Sequence, residues 1–138
     1  MTPEEIARKS AEAMRPDDRA PAAIGVVVET VGPGEAVASM VVTAAMANGH
    51  GTCHGGYLFA LADTAFAYAC NSYNQRAVAQ HCAISFLTPA QIGMKLVATA
   101  RERHRAERSG IYDVEVTADG VAIAEFRGHS RTVPGKLF

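Results

Sequence analysis

The 138-residue sequence predicts an α+β fold in which one antiparallel β-sheet is covered by a single long helix. Residues 55–71 form a segment rich in Ala and Leu that is longer than an ordinary strand and therefore favours a helix. Six shorter stretches rich in strand-forming residues are separated by turn residues, and four of them follow the long segment in succession. A sheet of that size needs a cover for its apolar face, and the long helix is the element available.

The first elements are predicted to be a short helix and a hairpin. Residues 3–15 favour a helix because Pro3 suits a first turn, two glutamates follow it at the positive end, and Pro16 stops it. Strands are predicted at 24–31 and 35–43, and the Gly-Pro-Gly sequence between them is typical of a turn.

The remaining strands are predicted to form most of the sheet. An irregular loop at 44–54 leads into the long helix, and four strands follow, at 77–87, 94–106, 110–118 and 121–132. Asp119-Gly120 between the last two is a strong hairpin signal. Because short turns connect these four strands, we expect them to be antiparallel neighbours.

These elements predict one folded domain. Residues 1–20 are assigned to an N-terminal helix and linker, residues 21–133 to the domain itself, and residues 134–138 to a loose tail. Apolar residues make up 49% of the chain and charged residues 20%, which is typical of a globular protein. A domain of this length can bury a core without disulfides or metals.

The composition also argues against several classes of function. Lys and Arg (13) nearly balance Asp and Glu (14), whereas a nucleic-acid-binding domain usually carries a basic excess. No apolar run is long enough to span a membrane, and the charged N-terminus lacks the apolar region of a secretory signal. Three cysteines without a CxxC pair indicate reduced thiols. We therefore expect a cytoplasmic protein that binds neither nucleic acid nor membrane.

The long helix carries apolar or small side chains on all its faces. Leu58, Leu61 and Ala65 share one face, and Gly56 and Ala60 lie on the opposite one. A surface helix would have polar side chains there, so this helix is expected to be covered on every side. Because a chain this short struggles to cover it alone, the sequence predicts a homo-oligomer.

Asp63 is the only acidic or basic side chain between His54 and Arg76. A carboxylate in a covered apolar helix is costly unless it is hydrogen-bonded or paired, and such a position favours a functional role. The alternative is an ordinary helical Asp that faces solvent or bonds a nearby backbone group.

A second candidate feature is the loop NGHGTCHGG at residues 48–56, which contains Asn48 and His54 and ends on two glycines. Glycines at a helix start allow a ligand to approach the backbone, and the first N–H groups of a helix suit a developing oxyanion. The alternative is a plain glycine-rich entry turn.

Gly55 and Asp63 are too far apart to serve one carbonyl within one helix. They are eight residues apart, which corresponds to about 12 Å along a helix axis. If both act on the same carbonyl, two subunits must supply them. The sequence then predicts a site at a dimer interface.

A basic segment forms a third candidate feature. In a regular strand Arg101, Arg103 and Arg105 lie on one face, and Arg108 and Ser109 follow at the next turn. Arginines in such an arrangement suit a phosphorylated ligand. The alternative is a solvated face of the sheet.

Metal and nucleophilic sites are weaker candidates. His50, Cys53 and His54 have no second cluster to complete a four-ligand zinc set, so no metal or other cofactor is predicted. Adjacent Cys53 and His54 rarely have the geometry of a nucleophile and its base.

The stretch NGHGTCHGGYLFALADTAFAYACN resembles the signature of hotdog-fold thioesterases, and within them the phenylacetate-degradation or PaaI-type branch. The resemblance extends from about residue 20 to residue 133 and includes SFLTPA, GIYDVEV and AEFRGHS. It implies a hotdog fold, with a sheet wrapped around the long helix. It also implies dimers with a continuous sheet, commonly paired into tetramers, and hydrolysis of acyl- or aryl-CoA thioesters.

By position in this signature, Asp63 resembles the catalytic carboxylate that acts as general base or nucleophile. The Gly55 N–H resembles the group that polarises the thioester carbonyl, and Asn48 and His54 resemble active-site neighbours. Arg103, Arg105, Arg108 and Ser109 fall where such enzymes often hold the phosphates of CoA.

The sequence departs from a sister branch of the family at one position. That branch has a Glu as the carboxylate and a Thr four residues later, whereas this chain has Asp63 and Ala67. The group that holds the attacking water is therefore open. Two other functions remain as alternatives: a hotdog-fold enoyl- or hydroxyacyl-thioester hydratase or dehydratase, and a non-catalytic acyl-CoA-binding module.

Overall fold

The computed structural model describes all residues 1–138 and confirms the predicted α+β class. In chain order the elements are α1 (Pro3–Met14), α2 (Arg19–Ala23), β1 (Val27–Gly32), β2 (Glu35–Val41), α3 (Gly55–Cys70), β3 (Ala77–Phe86), β4 (Lys95–Arg105), β5 (Ser109–Ala118) and β6 (Val121–Thr132). A 3₁₀ turn at Ala44–Met46 lies between β2 and α3. The short helix α2 lies between the predicted N-terminal helix and the first predicted strand.

The six strands form one antiparallel sheet in the order β1-β2-β4-β5-β6-β3, and α3 packs across one of its faces. The side of α3 that faces the sheet is fully buried at Leu61, Ala62, Ala65 and Ala69. Small alanines allow the helix to lie close to the strands, and the larger Phe66 rests on Gly128 of β6. This helix-on-sheet arrangement is the one that a hotdog fold requires.

The last four strands are not all sequential neighbours, which corrects the prediction. β4, β5 and β6 do pair in order, but β3 pairs with β6 at the edge of the sheet and not with β4. The connection from β3 to β4 is not a tight turn. Its Ala90 carbonyl accepts a hydrogen bond from the Cys53 amide (2.8 Å), and its Gly93 amide donates to the Val42 carbonyl (2.7 Å). It thus crosses the loop before α3 to reach β2.

β3 is a long and exposed edge strand. It has ten residues, contains no Pro and no Asp, Glu, Lys or Arg, and has no partner along its outer side. Val78 and Phe86 are each about half exposed, at 49% and 56%. Natural proteins usually protect such an edge with charges, Pro or a covering element.

Hydrogen bonds to side chains fix the two ends of the chain. The Thr2 hydroxyl accepts a bond from the Glu5 amide (3.1 Å) and caps α1. Residues 134–138, predicted to be loose, are tethered: the Asn74 side chain accepts bonds from the Leu137 and Phe138 amides, each 2.9 Å. None of the helices is long and apolar enough to cross a membrane.

Candidate active site

The first turn of α3 begins with a backbone amide that has no partner in the chain. His54 is the N-cap: it has an extended backbone, and its Nδ1 accepts a hydrogen bond from the Gly56 amide (2.9 Å). The Tyr57 amide donates to the His54 carbonyl (3.0 Å), but the Gly55 amide makes no hydrogen bond. The positive end of the helix dipole therefore presents a free N–H donor at Gly55.

Asn48 organises the loop that precedes this turn. Its Oδ1 accepts hydrogen bonds from the amides of His50 (2.9 Å) and Thr52 (3.2 Å), and its Nδ2 donates to the Thr52 hydroxyl (3.1 Å). One N–H of the Asn48 amide remains available, because Nδ2 carries two hydrogens. Asn48 thus shapes the loop and keeps one free donor.

Asn48 and Gly55 line the same cavity, of about 470 Å³. Its walls come from the loop before α3 and from the end of β3 with the connection that follows it. The ring of Phe86 covers Gly55 so closely that a Cβ at residue 55 would lie 2.7 Å from its Cζ. Cys53 also lines this cavity, but burial raises the pKa of its thiol, which disfavours a thiolate nucleophile.

Asp63 lies in a different cavity, of about 440 Å³, between α3 and the α2 segment. Apolar groups from both elements surround it, including Ile24, Pro21 and Ala60. Asp63 is half-buried and forms no hydrogen bond or ion pair with any other residue. Burial, and then the negative charge of Asp18 in the same cavity, raise the pKa of the Asp63 carboxyl above its ordinary value.

The structure therefore brings some predicted site residues together and separates others. Asn48 and Gly55 share a cavity, and His54 caps the helix beside them, whereas Asp63 lines the second cavity. Thr64, next to Asp63, is buried and donates its hydroxyl hydrogen to the Ala60 carbonyl (2.7 Å). Within one subunit the two cavities share no lining residue.

The prediction that Arg103 and Arg105 lie on the same face of the sheet is wrong, because β4 contains a bulge. The β4–β5 register shifts between Glu102 and His104, so Arg103 is the extra residue of the bulge. Arg103 lies 3.5 Å from Asp113 on the outer face of the sheet, the face away from α3. Arg105 instead stacks on the Tyr73 ring, 3.6 Å from its centroid, and Tyr73 bonds Glu102 on the inner side. Arg103 and Arg105 therefore point to opposite faces.

Arg108 and Ser109 do lie together, in a third cavity on the outer face. Sequence reasoning missed the residues that complete it, His81, His129 and Arg131, because only the pairing of β3 with β6 and of β5 with β6 brings them together. It also missed Asp18, whose side chain lines the Asp63 cavity although 45 positions separate the two residues. Nothing in the local sequence signals either arrangement.

Comparisons with known proteins agree on one family. The model of the thioesterase superfamily matches residues 50–124. Over 130 residues the chain is 47% identical to the acyl-coenzyme A thioesterase PaaI of Escherichia coli (strain K12). This alignment covers 94% of this chain and 93% of that protein.

Solved structures give the same result. The E. coli PaaI protein from the phenylacetic acid degradation operon superposes with a TM-score of 0.95 at 45% identity, over 98% of this chain and 99% of that one. A mutant of the phenylacetic acid degradation protein PaaI from Thermus thermophilus has a TM-score of 0.82 at 39% identity, over 84% of this chain and 100% of that one.

Proposed function

The chain belongs to the thioesterase superfamily, and on that basis we propose that it hydrolyses aryl- or acyl-CoA thioesters to the free acid and CoA. The proposed substrates are phenylacetyl-CoA and its ring-hydroxylated forms. The observation that carries the proposal is the pair of groups on α3: a free Gly55 amide at the first turn and an unpartnered Asp63 carboxylate in an apolar cavity.

In this proposal, residues of two subunits together form each active site. Gly55 and Asp63 line different cavities and lie about 12 Å apart along α3, so one carbonyl cannot contact both in the same subunit. A two-fold axis that brings Asp63 of one protomer to Gly55 of its partner solves this problem. The small side chains on the outward face of α3, Gly56, Ala60 and Ala67, leave room for that approach.

β3 is the proposed line of contact between the two subunits. Its unpaired outer edge has ten residues without charge or Pro, so a second copy can add antiparallel to it. The result is one continuous twelve-stranded sheet, twice the six strands of one chain. Two such dimers form the proposed homotetramer.

In the proposed reaction, the carbonyl oxygen of the thioester first accepts a hydrogen bond from the Gly55 amide. That donor stabilises the negative charge that develops as a nucleophile adds to the carbonyl carbon, and loss of one such donor typically costs about 10²–10³ in kcat. The free N–H of Asn48 lies in the same cavity and can help to position the carbonyl. His54, as the N-cap, holds the glycine turn in place.

Asp63 supplies either the base or the nucleophile. As a base it removes a proton from the attacking water; the tetrahedral intermediate then collapses, the C–S bond breaks and the CoA thiolate takes up a proton. As a nucleophile it forms an anhydride with the acyl group and releases CoA, and water then cleaves the anhydride. A raised pKa makes the ionised Asp63 carboxylate a stronger base.

Arg108 and Ser109 are the proposed contacts for the phosphates of CoA. Both line the outer-face cavity, and neither the Arg108 guanidinium nor that of its neighbour Arg131 is engaged in an ion pair. Arg103 and Arg105 are already occupied, by Asp113 and by the Tyr73 ring respectively.

Asp63→Asn tests the assigned role of the carboxylate. We expect kcat for phenylacetyl-CoA to fall about 10²- to 10⁴-fold while the protein stays folded and keeps its oligomeric state. Release of CoA thiol gives the rate, and size-exclusion chromatography gives the assembly. Hydrolysis by this variant at the parent rate would show that Asp63 is not the catalytic carboxylate.

Mixed subunits test the composite site. Asp63→Asn protein and Gly55→Pro protein, which lacks the N–H at residue 55 and has proline at the first position of α3, are each expected to have low activity; they are denatured, mixed in equal amounts and refolded. Half of the dimers then contain one subunit of each kind, and one of their two sites has both intact groups, so about a quarter of the parent activity returns. No recovery, with mixed dimers present, would place both groups in the same subunit.

Isotope labelling separates the base from the nucleophile. In a single turnover in H₂¹⁸O, a general-base reaction puts ¹⁸O into the product acid. If Asp63 is the nucleophile and water attacks the Asp63 carbonyl of the anhydride, the bridging Asp63 oxygen leaves with the unlabelled acid and ¹⁸O stays in the enzyme, where mass spectrometry of the peptide detects it; ¹⁸O in the enzyme therefore demonstrates the nucleophilic route.

A further inference from the structure

The next turn of α3 after Asp63 offers the Asp63 cavity no second hydrogen-bond acceptor. A water that attacks a carbonyl has to be held as well as deprotonated, because its second hydrogen needs an acceptor while its lone pair points at the carbon. Ala67 lies one turn after Asp63 and lines the same cavity, but its methyl group accepts no hydrogen bond. An acceptor for that second hydrogen has to come from elsewhere in the cavity.

Asp18 faces this cavity from the wall opposite α3. It lies directly before α2, and its carboxylate and that of Asp63 line the same space of about 440 Å³. The Asp18 amide donates to the carbonyls of Met14 and Arg15, each at 3.2 Å, which holds this segment against the end of α1. The two carboxylates are close enough that the charge of Asp18, after burial, raises the pKa of Asp63.

The Asp18 carboxylate has neither a capping bond nor an ion pair. An Asp directly before a helix ordinarily accepts a hydrogen bond from an amide of the first turn, but Asp18 makes no such bond with α2. It also forms no ion pair with Arg15 or Arg19, the arginines nearest to it in the chain. Because Asp18 is half-buried, leaving it without these partners is costly, and such a position favours a functional role.

Tyr68 of α3 lies near Asp18 and leaves it free to bind a water. Burial, and then the negative charge of Asp18, raise the pKa of the Tyr68 phenol to about 12. The phenol therefore keeps its hydrogen near neutral pH and can donate it to Asp18. A carboxylate accepts about four hydrogen bonds on its two oxygens, so a bond from Tyr68 leaves capacity for a water.

The other side chains of the cavity that carry an oxygen are less suited to this role. Thr64 is buried and donates its hydroxyl hydrogen to the Ala60 carbonyl of its own helix (2.7 Å). Tyr57 precedes Asp63 by six residues, which corresponds to about 9 Å along the helix axis. Asp18 is the lining residue that combines an unpaired carboxylate with a position across from α3.

We propose that Asp18 holds the attacking water, a role that rests on the proposed function. In the general-base route the water donates one hydrogen to Asp63 and the other to Asp18. As the new C–O bond forms, Asp63 takes the first proton, and Asp18 stays ionised and keeps its hydrogen bond to the added hydroxyl. In the nucleophilic route Asp18 holds the water that attacks the anhydride and takes its proton, while Asp63 is released as a carboxylate. Asp18 is thus a further catalytic residue, 45 positions from Asp63 in the chain.

Two uncharged variants isolate the hydrogen bond to the water. Asp18→Asn and Asp18→Ala both remove the negative charge, but only Asn keeps an oxygen that accepts from water. We expect kcat for phenylacetyl-CoA to fall about 10- to 100-fold in Asp18→Ala at a nearly constant KM, and Asp18→Asn to recover most of that loss. Rates are compared on the alkaline plateau of the pH profile, where Asp63 is ionised in each variant. Asp17→Ala, a change at an exposed neighbour, should keep the parent kcat.

Three results would overturn the role of Asp18. The first is the parent kcat in Asp18→Ala. The second is an equal loss of kcat in Asp18→Ala and Asp18→Asn, which would indicate an effect of charge and not of an acceptor. The third is a raised KM at constant kcat, which would place Asp18 in substrate binding. If size-exclusion chromatography shows that Asp18→Ala does not assemble, Asp18→Leu, which fills the space without an oxygen, takes its place.

Mixed subunits test whether Asp18 acts with Asp63 of the same chain. Asp18→Ala refolded with Gly55→Pro should regain about a quarter of the parent activity, because one site of each mixed dimer has both carboxylates and an intact Gly55 amide. Asp18→Ala refolded with Asp63→Asn should show no gain over the separate proteins, because every cavity then lacks one carboxylate. A gain in this second mixture would overturn the pairing of the two residues.

The parent protein and Asp63→Asn separate this inference from the proposed function. If the parent hydrolyses no CoA thioester, the proposed function fails and the role of Asp18 fails with it. If the parent is active and Asp63→Asn is not, while Asp18→Ala keeps the parent rate, the proposed function stands and the role of Asp18 alone fails.

Discussion

The ring of Phe86 lies directly over the Cα of Gly55, so close that a Cβ at residue 55 would stand 2.7 Å from the ring Cζ. The contact links the end of β3 to the first turn of α3. A larger residue is disfavoured at this turn, because its side chain would have to displace the ring.

We predict that Gly55→Ala lowers the free energy of unfolding by about 1–3 kcal/mol, because the new methyl group must displace the Phe86 ring. Without that contact the substitution would stabilise the protein by up to about 1 kcal/mol, since Ala is the better helix residue. Denaturant unfolding of Gly55→Ala, Phe86→Ala and the double variant measures the coupling. Additive effects would contradict the assigned contact.

Two variants separate the structural and chemical roles of Asn48. Asn48→Asp keeps the oxygen that accepts from His50 and Thr52 but loses the Nδ2 donor. We expect its thermal stability to stay close to that of the parent while kcat falls about 10- to 100-fold. Asn48→Ala removes both functions and should also destabilise the loop by about 1–3 kcal/mol. Full activity in Asn48→Asp would leave Asn48 as a loop residue only.

We predict that Asp18 influences the pH below which activity is lost, through its effect on the pKa of Asp63. Asp63 must be ionised to act as base or nucleophile, and the charge of Asp18 adds to burial in raising the pKa of Asp63. Asp18→Asn therefore should shift the acidic limb of the kcat/KM profile to lower pH and leave the rate at alkaline pH nearly unchanged. Asp17→Asn, an exposed neighbour with the same change of charge, serves as the control. An unmoved limb in Asp18→Asn would show that the two carboxylates do not interact.

Asp63→Asn should also make the protein more stable at neutral pH. The pKa of Asp63 is raised in the folded state, so folding is penalised once the pH exceeds the pKa of this group in the unfolded chain, about 3.9. The penalty is complete above the folded pKa and absent below the unfolded one. The gain in the free energy of unfolding should thus be present at pH 7 and vanish towards pH 3, at one fixed protein concentration. An equal gain at both pH values would point to a cause other than ionisation.

The elements with local signals were predictable. α3 was predicted at 55–71 and spans Gly55–Cys70, because no turn residue interrupts its run of Ala and Leu. Asp119 and Gly120 have φ angles of 48° and 77°, so the hairpin that their dipeptide predicts is present. The order of the strands along the chain was also predictable, because turn residues separate the strand-forming stretches.

Features that depend on distant pairing were not predictable. The position of β3 beside β6 is set by contacts between residues that are 55 positions apart at Ala77–Thr132 and 38 apart at Phe86–Ala124. The bulge at Arg103 moves Arg105 to the opposite face of the sheet. Asp18 faces Asp63 only because α2 folds onto α3. Asp63 and Gly55 stay predicted site residues; the sequence singles them out because a lone carboxylate and a glycine turn on one apolar helix leave a local signature.

The uncharged edge of β3 has a consequence for the fate of a single subunit. An unpaired β3 offers ten residues of free backbone donors and acceptors between half-exposed apolar side chains, which is a template for aggregation. In the proposed dimer the same edge completes the active site. A subunit without a partner would then be both inactive and prone to precipitate, so failed assembly would clear the protein from solution and leave no idle pool of monomers.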